Sequence, residues 1–296
     1  METNKRKYYL LVIFAGMFWG TTGLFFRKLT SMGFESLEVL LLRIGFAALL
    51  LGGLLLIKDR KLFRIRLKDL FFLAGAGIFT FSAFFCYFSA LSNTTVAVSA
   101  VLLYTSPAFV VLFSAFLFKE RITAKKLLAL LLIFGGCVFS SGLFESSQTV
   151  TFLGLFWGVM SGVTYALYSV FNRYSLSRGY DGFTITFYAM LIGTVIALCV
   201  VDLPTMAAKM TLPGLGFGLG IGFCCAMMPF LLYTLGMSGL ETGEAAMLST
   251  VELIVATILS ALVLSEPLTF FIALGVVLII VGIVVMNMKT RGVKEK

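Results

Sequence analysis

The chain is written almost entirely in long apolar runs separated by short polar stretches. The runs cover about Tyr8 to Phe26, Leu37 to Ile57, Leu70 to Leu91, Val96 to Phe118 and Leu127 to Phe144. Five more follow, about Phe152 to Phe171, Phe183 to Leu203, Pro213 to Leu235, Ala245 to Leu264 and Phe270 to Met288. Each is long enough to cross a hydrocarbon core about 30 Å thick. None has the strict alternation of a barrel strand, and in lipid a backbone must satisfy its own hydrogen bonds, so the runs predict α-helices. The expected fold is an all-α membrane protein of ten transmembrane helices.

Composition closes off the soluble alternatives. Apolar residues make up 60% of the 296, and charged residues 12%, about half the charged share of an average soluble chain. The formal net charge of +9 would raise the question of nucleic acid. The basic residues, however, fall in short clusters between apolar runs and not along one solvated face, so no nucleic-acid partner is expected. Their distribution sets orientation instead. With the N-terminus inside, only Arg27, Lys28 and Lys209 fall outside and only Arg43 lies within a run, so both termini are expected in the cytoplasm. The first run is too long for a signal peptide and is expected to stay as a full helix.

Sliding the chain along itself by 146 residues, without a gap, brings Gly16, Phe25, Arg27, Ser31 and Gly33 onto Gly162, Phe171, Arg173, Ser177 and Gly179. Further on, Tyr87 falls on Tyr233, Glu120 on Glu266, Thr123 on Thr269 and Gly136 on Gly282. Polar and glycine identities held at one offset mark an internal repeat. The two copies, residues 1–144 and 151–296 with a short basic C-terminal tail, each hold an odd number of helices and must therefore sit in opposite orientations. The charges agree: Arg121, Lys125 and Lys126 are replaced by Pro267, Phe271 and Ile272 in the second copy. Inverted repeats are the architecture of alternating-access transport.

Phe18-Trp19-Gly20, Leu42-Arg43, Ser106-Pro107 and the stretch Phe118-Lys119-Glu120-Arg121-Ile122-Thr123, echoed by Leu264-Ser265-Glu266-Pro267-Leu268-Thr269, carry a resemblance across the whole chain. On ten spans and a duplicated unit, the sequence resembles the EamA type of the drug/metabolite transporter superfamily. The resemblance implies a carrier of small metabolites, often amino acids or other amphipathic solutes and often outward, through a cavity lined by helices 1, 3, 4, 6, 8 and 9. One departure is that the family's Glu-Pro pair is split between Ser106-Pro107 and Glu252-Leu253, so no proline-dependent bend is expected in the ninth helix. The partners implied are a small-molecule solute and the lipid bilayer, with proton coupling and a homodimer as further candidates.

The chemistry on offer is narrow. Histidine is absent, and with it imidazole-based relays and metal sites. No Gly-Lys-Ser/Thr phosphate loop occurs, so energy is expected from a solute gradient, the membrane potential or an ion. Cys86, Cys137, Cys199, Cys224 and Cys225 lie in apolar spans and read as small core residues. With no paired carboxylates, Ser-His pair or metal-ligand spacing in the spans, an enzyme is not expected, nor a cofactor, metal or catalytic residue.

Glu252 is the most informative residue. It lies about 12 Å along the ninth helix from Glu244, and an ionised carboxylate at that depth is costly. At 100° per residue Glu241, Glu244 and Glu252 form one acidic stripe; the first two suit the helix dipole, whereas Glu252 is expected to bind a cationic part of the solute or the coupling proton. Arg43 must find a carbonyl or carboxylate partner or snorkel, and a structural role is expected. Ser161, Tyr165, Tyr168 and Asn172 make one polar, aromatic face, opposite Trp19 on the first helix. Tyr87 and Tyr233 add a symmetric pair, and Tyr104 with Ser106 adds the fourth helix. The expected solute-binding set is therefore Trp19, Tyr87, Tyr104, Ser106, Tyr165, Tyr168, Asn172, Tyr233 and Glu252, against the alternative that these groups only join helices. Glycines from Gly214 to Gly222, and Gly16 with Gly20, read as packing surfaces. Glu120 and Glu266 begin Glu-x-x-Thr stretches that read as caps of the helices they precede. A saturable carrier is the expected function, with a pore or facilitator as the alternative.

Overall fold

The structure is a computed structural model that describes residues 2–141, 143, 151–264 and 268–288. Among these residues it is helical with no strand. Nine helices among the described residues are long and apolar enough to cross a membrane: α1 (Lys5–Ser31), α2 (Ser36–Lys58), α3 (Leu67–Leu91), α4 (Val96–Phe118), α6 (Phe152–Ser177), α7 (Gly182–Val200), α8 (Leu212–Met237), α9 (Thr242–Val263) and α10 (Phe270–Asn287). The fifth apolar run forms α5 (Ala124–Ser140), 17 residues or about 26 Å at 1.5 Å per residue, at the short end of the range for a span. Phe144, Glu266, Pro267 and the C-terminal tail lie outside the described residues.

The bundle is inside out relative to a soluble one. Leu49, Phe116, Leu262 and Phe270 are all at least 70% exposed, forming an apolar outer belt whose solvent is lipid tails. With no hydrophobic drive between helices in that solvent, close backbone approach and interhelical hydrogen bonds must do the work. The pairs follow that rule. A Cβ on Gly136 of α5 would lie 2.7 Å from the Gly275 carbonyl of α10, and one on Gly275 would meet the Gly136 carbonyl at 2.6 Å. Gly16 and Gly20 let α1 reach the backbone of α9 at Ser249 and Glu252 in the same way. The glycines of α8 are filled by rings instead: Phe34 sits against Gly214, Phe46 against Gly218 and Gly222, and Phe25 against Gly220. Of the five cysteines, Cys86, Cys137 and Cys225 are buried and Cys224 partly so. Cys199 departs from the core role expected of it, because it lies on the exposed face of α7 with its thiol donating to the Val195 carbonyl.

Long-range contacts gather the basic loops at one end. Tyr8 packs on Gly239, Thr184 and Tyr188 donate to the carbonyls of Leu62 and Phe63, Arg173 donates to Met237 and Leu240, and Lys125 reaches the Met288 carbonyl. At the opposite end Lys209, on the short helix Leu203–Lys209, pairs with Glu38 at 3.0 Å, and Thr151 donates to Asn93.

Replacing Gly275 with Leu forces the α5 and α10 backbones apart, and the expected loss of about 1–3 kcal/mol reads as a lower melting midpoint of the purified protein in detergent. Gly135→Leu, at a position with open space around it, is the control and is expected to leave the midpoint unchanged.

Candidate functional site

Four of the helices are interrupted near mid-length, and the interruptions build the site. In α4, Val96–Leu103 gives way to Ser106–Phe118. Pro107 cannot donate to the Leu103 carbonyl, and the Thr105 hydroxyl bonds back to the Leu102 carbonyl at 2.6 Å. In α9, Thr242–Ser249 gives way to Val251–Leu264. The helix breaks with Leu253 standing where the family's Glu-Pro pair would place a proline. Proline is not needed, because the hydroxyls of Ser249 and Thr250 bond back to Ala246 and Met247 at 2.9 and 2.6 Å and tighten the turn. The same 146-residue offset that aligns the two halves of the sequence pairs Tyr104 with Thr250 at these breaks, and Ser106 with Glu252 just beyond them. The break also interrupts the acidic stripe drawn on an unbroken helix: Glu241 is taken by Lys126 at the basic end, while Glu252 opens the second half of α9. The remaining interruption in the first half of the chain is at Thr21 of α1, whose hydroxyl bonds back to Phe18 at 2.8 Å.

The fourth interruption gives Arg43 its partner. In α8 a π-turn, Phe223–Met227, precedes Pro229. The Cys225 carbonyl would accept from residue 229, which as proline has no N–H. Arg43 replaces the missing donor with two, Nε at 3.0 Å and Nη2 at 2.6 Å. Its guanidinium lies 4.3 Å from the Phe84 ring centroid and 5.9 Å from that of Phe230, so a cation only 6% exposed is held by one carbonyl and two aromatic faces.

Between the α4 and α9 breaks lies a cavity of about 30 Å³, lined by Leu103, Tyr104, Ser106, Pro107, Tyr165, Ser249, Thr250 and Glu252. It holds about one or two waters. Of the expected site residues, Tyr104, Ser106, Tyr165 and Glu252 meet here, with the Tyr104 hydroxyl facing the carboxylate. Tyr87 and Arg43 are close enough for their charges or dipoles to act on Glu252. Trp19, 4% exposed, stands next to the cavity with its ring edge-on to Tyr165 at 6.4 Å and to Phe230 at 5.1 Å. Tyr168, Tyr233 and Asn172 are set apart from it. They are 2% exposed or less, Tyr233 shares a hydrogen bond with Ser169 at 3.1 Å, and the Asn172 amide donates to Thr234. These three join α6 to α8.

The basic end below the cavity is clamped shut. Glu120, in the α4–α5 connection, was expected to cap α5; Thr123 does that, accepting from the Lys126 backbone. Glu120 instead accepts from the backbone N–H groups of Thr242 and Gly243 at 2.8 and 3.4 Å, capping α9 from outside because its carboxylate reaches across to the orphan donors of that helix. Lys126, 7% exposed, joins this carboxylate to that of Glu241. The matching Glu266 lies outside the described residues. The inner half of α9 thus packs on the second half of α4, whereas the far half of α4 packs on α6 and α3 and that of α9 on α1 and α10. At that far end a cleft of about 520 Å³ opens between Thr30–Leu37 and the end of α3, lined by Phe85, Phe88 and Ser89.

A sequence model of the EamA-like transporter family matches the chain twice, over residues 6–142 and 152–288. The chain belongs to the EamA-like transporter family. An "Uncharacterized transporter" of Archaeoglobus fulgidus is 27% identical over 274 residues, 93% of this chain and 94% of its own length. The "Uncharacterized transporter YwfM" of Bacillus subtilis is 25% identical over 96% and 95%. A protein known from its crystal structure has the same fold, with a TM-score of 0.76 and 20% identity over 95% of this chain and 96% of its own. This EamA-like chain is accordingly a multi-pass membrane protein of a transporter family, a class distinct from enzymes.

Sequence reasoning missed Phe84 and Phe230 beside Arg43, and Ser249 and Thr250 at the α9 break. The signal available was Pro229, four residues after Cys225, which announces an orphaned carbonyl. Arg43→Met leaves that carbonyl buried without a donor, and an expected loss of about 1–3 kcal/mol reads as a lower melting midpoint. Arg43→Lys is expected to recover only part of it, lacking the two-pronged geometry.

Proposed function

We propose that this EamA-like chain is a secondary carrier that moves small amphipathic metabolites, amino acids and related solutes among them, outward across the cytoplasmic membrane by alternating access. In this reading the chain has ten spans in two five-helix copies of opposite orientation, residues 1–144 and 151–296, with both termini in the cytoplasm. The observation that carries it is the setting of Glu252: a carboxylate at a helix break, lining a cavity between the two halves of the chain beyond the end that Glu120, Lys126 and Glu241 clamp.

Among the described residues Glu252 makes no ion pair within contact distance, so its charge is uncompensated by direct contact in a region where charge is expensive. It therefore suits the cationic end of a solute, or the coupling proton. Tyr104, Tyr165 and Trp19 offer aromatic surface to the rest of the molecule, and Ser106 a hydroxyl. Substrate and transporter make these contacts from both halves of the chain, as alternating access requires. The lock formed by Glu120, Lys126 and Glu241 ties α9 to the α4–α5 connection, and it argues against an always-open pore, the second reading. In this cycle the lock releases when α9 and α4 part at the basic end and close at the other.

Two measurements test the reading. Counterflow of labelled amino acids and other small metabolites into proteoliposomes is expected to saturate, and Glu252→Gln is expected to lower it about 10- to 100-fold, the worth of one charge-assisted hydrogen bond. Flux that never saturates supports a pore, and an unchanged rate and pH dependence in the variant removes the role given to Glu252. For the lock, a cysteine placed at Val111 is expected to react faster with an impermeant maleimide added on the N-terminal side once Glu120 is changed to Ala. No change in that rate overturns the role of Glu120 in holding the basic end closed.

A further inference from the structure

The α2–α3 connection concentrates charge without neutralising it. Lys58, Arg60, Lys61, Arg64, Arg66 and Lys68 stand among only two acids, Asp59 and Asp69. Both acids are spent locally. Asp59 accepts from the Lys61 backbone at 2.8 Å, and Asp69, 1% exposed, is held by Arg178 at 3.3 Å and the Tyr180 hydroxyl at 3.1 Å. Lys58 lies over the Phe183 ring at 3.4 Å. Among the described residues none of the other five basic side chains makes an ion pair, and all five are exposed.

A loop that needed only to stay on one side of a membrane would need charge but no fixed shape. This one is fixed. It folds into two 3₁₀ turns, Arg60–Phe63 and Leu67–Asp69, and is fastened to the second half of the chain at four points. Thr184 and Tyr188 donate to the Leu62 and Phe63 carbonyls at 2.8 Å, the Arg66 backbone donates to the Tyr180 hydroxyl at 2.9 Å, and Arg178 pairs with Asp69. The same loop carries exposed apolar side chains at its two ends, Ile57 at 86% and Leu67 at 85%. They continue the apolar belt of α2 and α3 and set the cations at the edge of the hydrocarbon, the depth at which lipid phosphates lie. A nucleic acid or a soluble acidic protein would make no use of those apolar groups.

We propose that the loop Lys58–Asp69 is a docking surface for anionic phospholipid headgroups, with Arg60, Lys61, Arg64, Arg66 and Lys68 holding the phosphates and Ile57 and Leu67 immersed beside the acyl chains. Each such cation adds to attraction toward an anionic leaflet, and the attraction is screened by salt. Because the loop is fastened to α6 and α7, lipid held there braces the second half of the chain as well as the first. The inference is independent of the solute and of the transport cycle.

The test uses the full chain in phosphatidylcholine nanodiscs and in neutral detergent, with phosphatidylglycerol as the probe. Added phosphatidylglycerol is expected to raise the melting midpoint and to remain bound in native mass spectrometry, and high salt is expected to abolish both effects. R60Q/K61Q/R64Q/K68Q is expected to weaken binding more than about tenfold, while the four-lysine version of the same loop and a K119Q/R121Q/K125Q variant keep it. Glycerol phosphate without acyl chains is expected to give no shift, and I57S/L67S a reduced one. Equal retention of phosphatidylglycerol by wild type and R60Q/K61Q/R64Q/K68Q overturns the proposal, as does an equal shift with phosphatidylcholine. Should the glutamine variant fail to fold, the wild-type comparison at low and high salt still decides: a shift indifferent to salt overturns it.

Discussion

A guanidinium and a carbonyl that neither could be left alone in hydrocarbon solve each other's problem at the middle of this bundle. Pro229 deprives the Cys225 carbonyl of its helical donor, within the π-turn Phe223–Met227 that interrupts α8. Arg43 on α2 answers with two N–H groups. In water either group could have been hydrated; in a bilayer an unpaired one costs several kcal/mol. The pair therefore fixes the depth and rotation of α2 against α8, and with them the position of Phe230, on which Trp19 and Tyr168 then pack.

The same constraint explains why irregular backbone is confined to the interior. The breaks of α4 and α9 lie where they face each other and a small cavity, and their freed backbone groups are met by Thr105, Ser249 and Thr250 hydroxyls. A break facing lipid would have no such partners. Interrupting two helices at matched positions also divides each into halves with different neighbours. In this structure the inner half of α9 is bound to the α4–α5 connection through Glu120, and the far halves of α4 and α9 rest on different neighbours. Glu252 stands at the joint, lining the cavity between the two breaks.

The polar groups sort into two populations by what they touch. Tyr168, Tyr233, Asn172, Ser169 and Thr234 bond to one another across α6 and α8, which is how membrane helices are glued. Tyr104, Ser106, Tyr165 and Glu252 face open space. In sequence the two populations share one stripe on α6: Tyr165, Tyr168 and Asn172 fall on the same helical face, and their spacing carries no information about whether the opposite helix leaves a gap.

The sequence by itself determined the class of fold, the apolar segments and the duplicated pattern, because a bilayer demands runs of fixed length whose signal is local. It also singled out Glu252 and Arg43, since a charge within an apolar run stands out wherever it ends up. Partner choice was a different matter. That Arg43 meets a carbonyl 182 residues away, that Glu120 caps α9 and not its own helix, that α9 breaks without proline, and that Cys199 faces outward all depend on which helices lie side by side. Close approach at Gly16 and Gly20 sets α1 against α9, the Gly136–Gly275 contact sets α5 against α10, and Phe46 of α2 fills the gaps at Gly218 and Gly222 of α8. In a medium where every apolar face is equally at home, such close packing, with hydrogen bonds between helices, decides which helix is the neighbour.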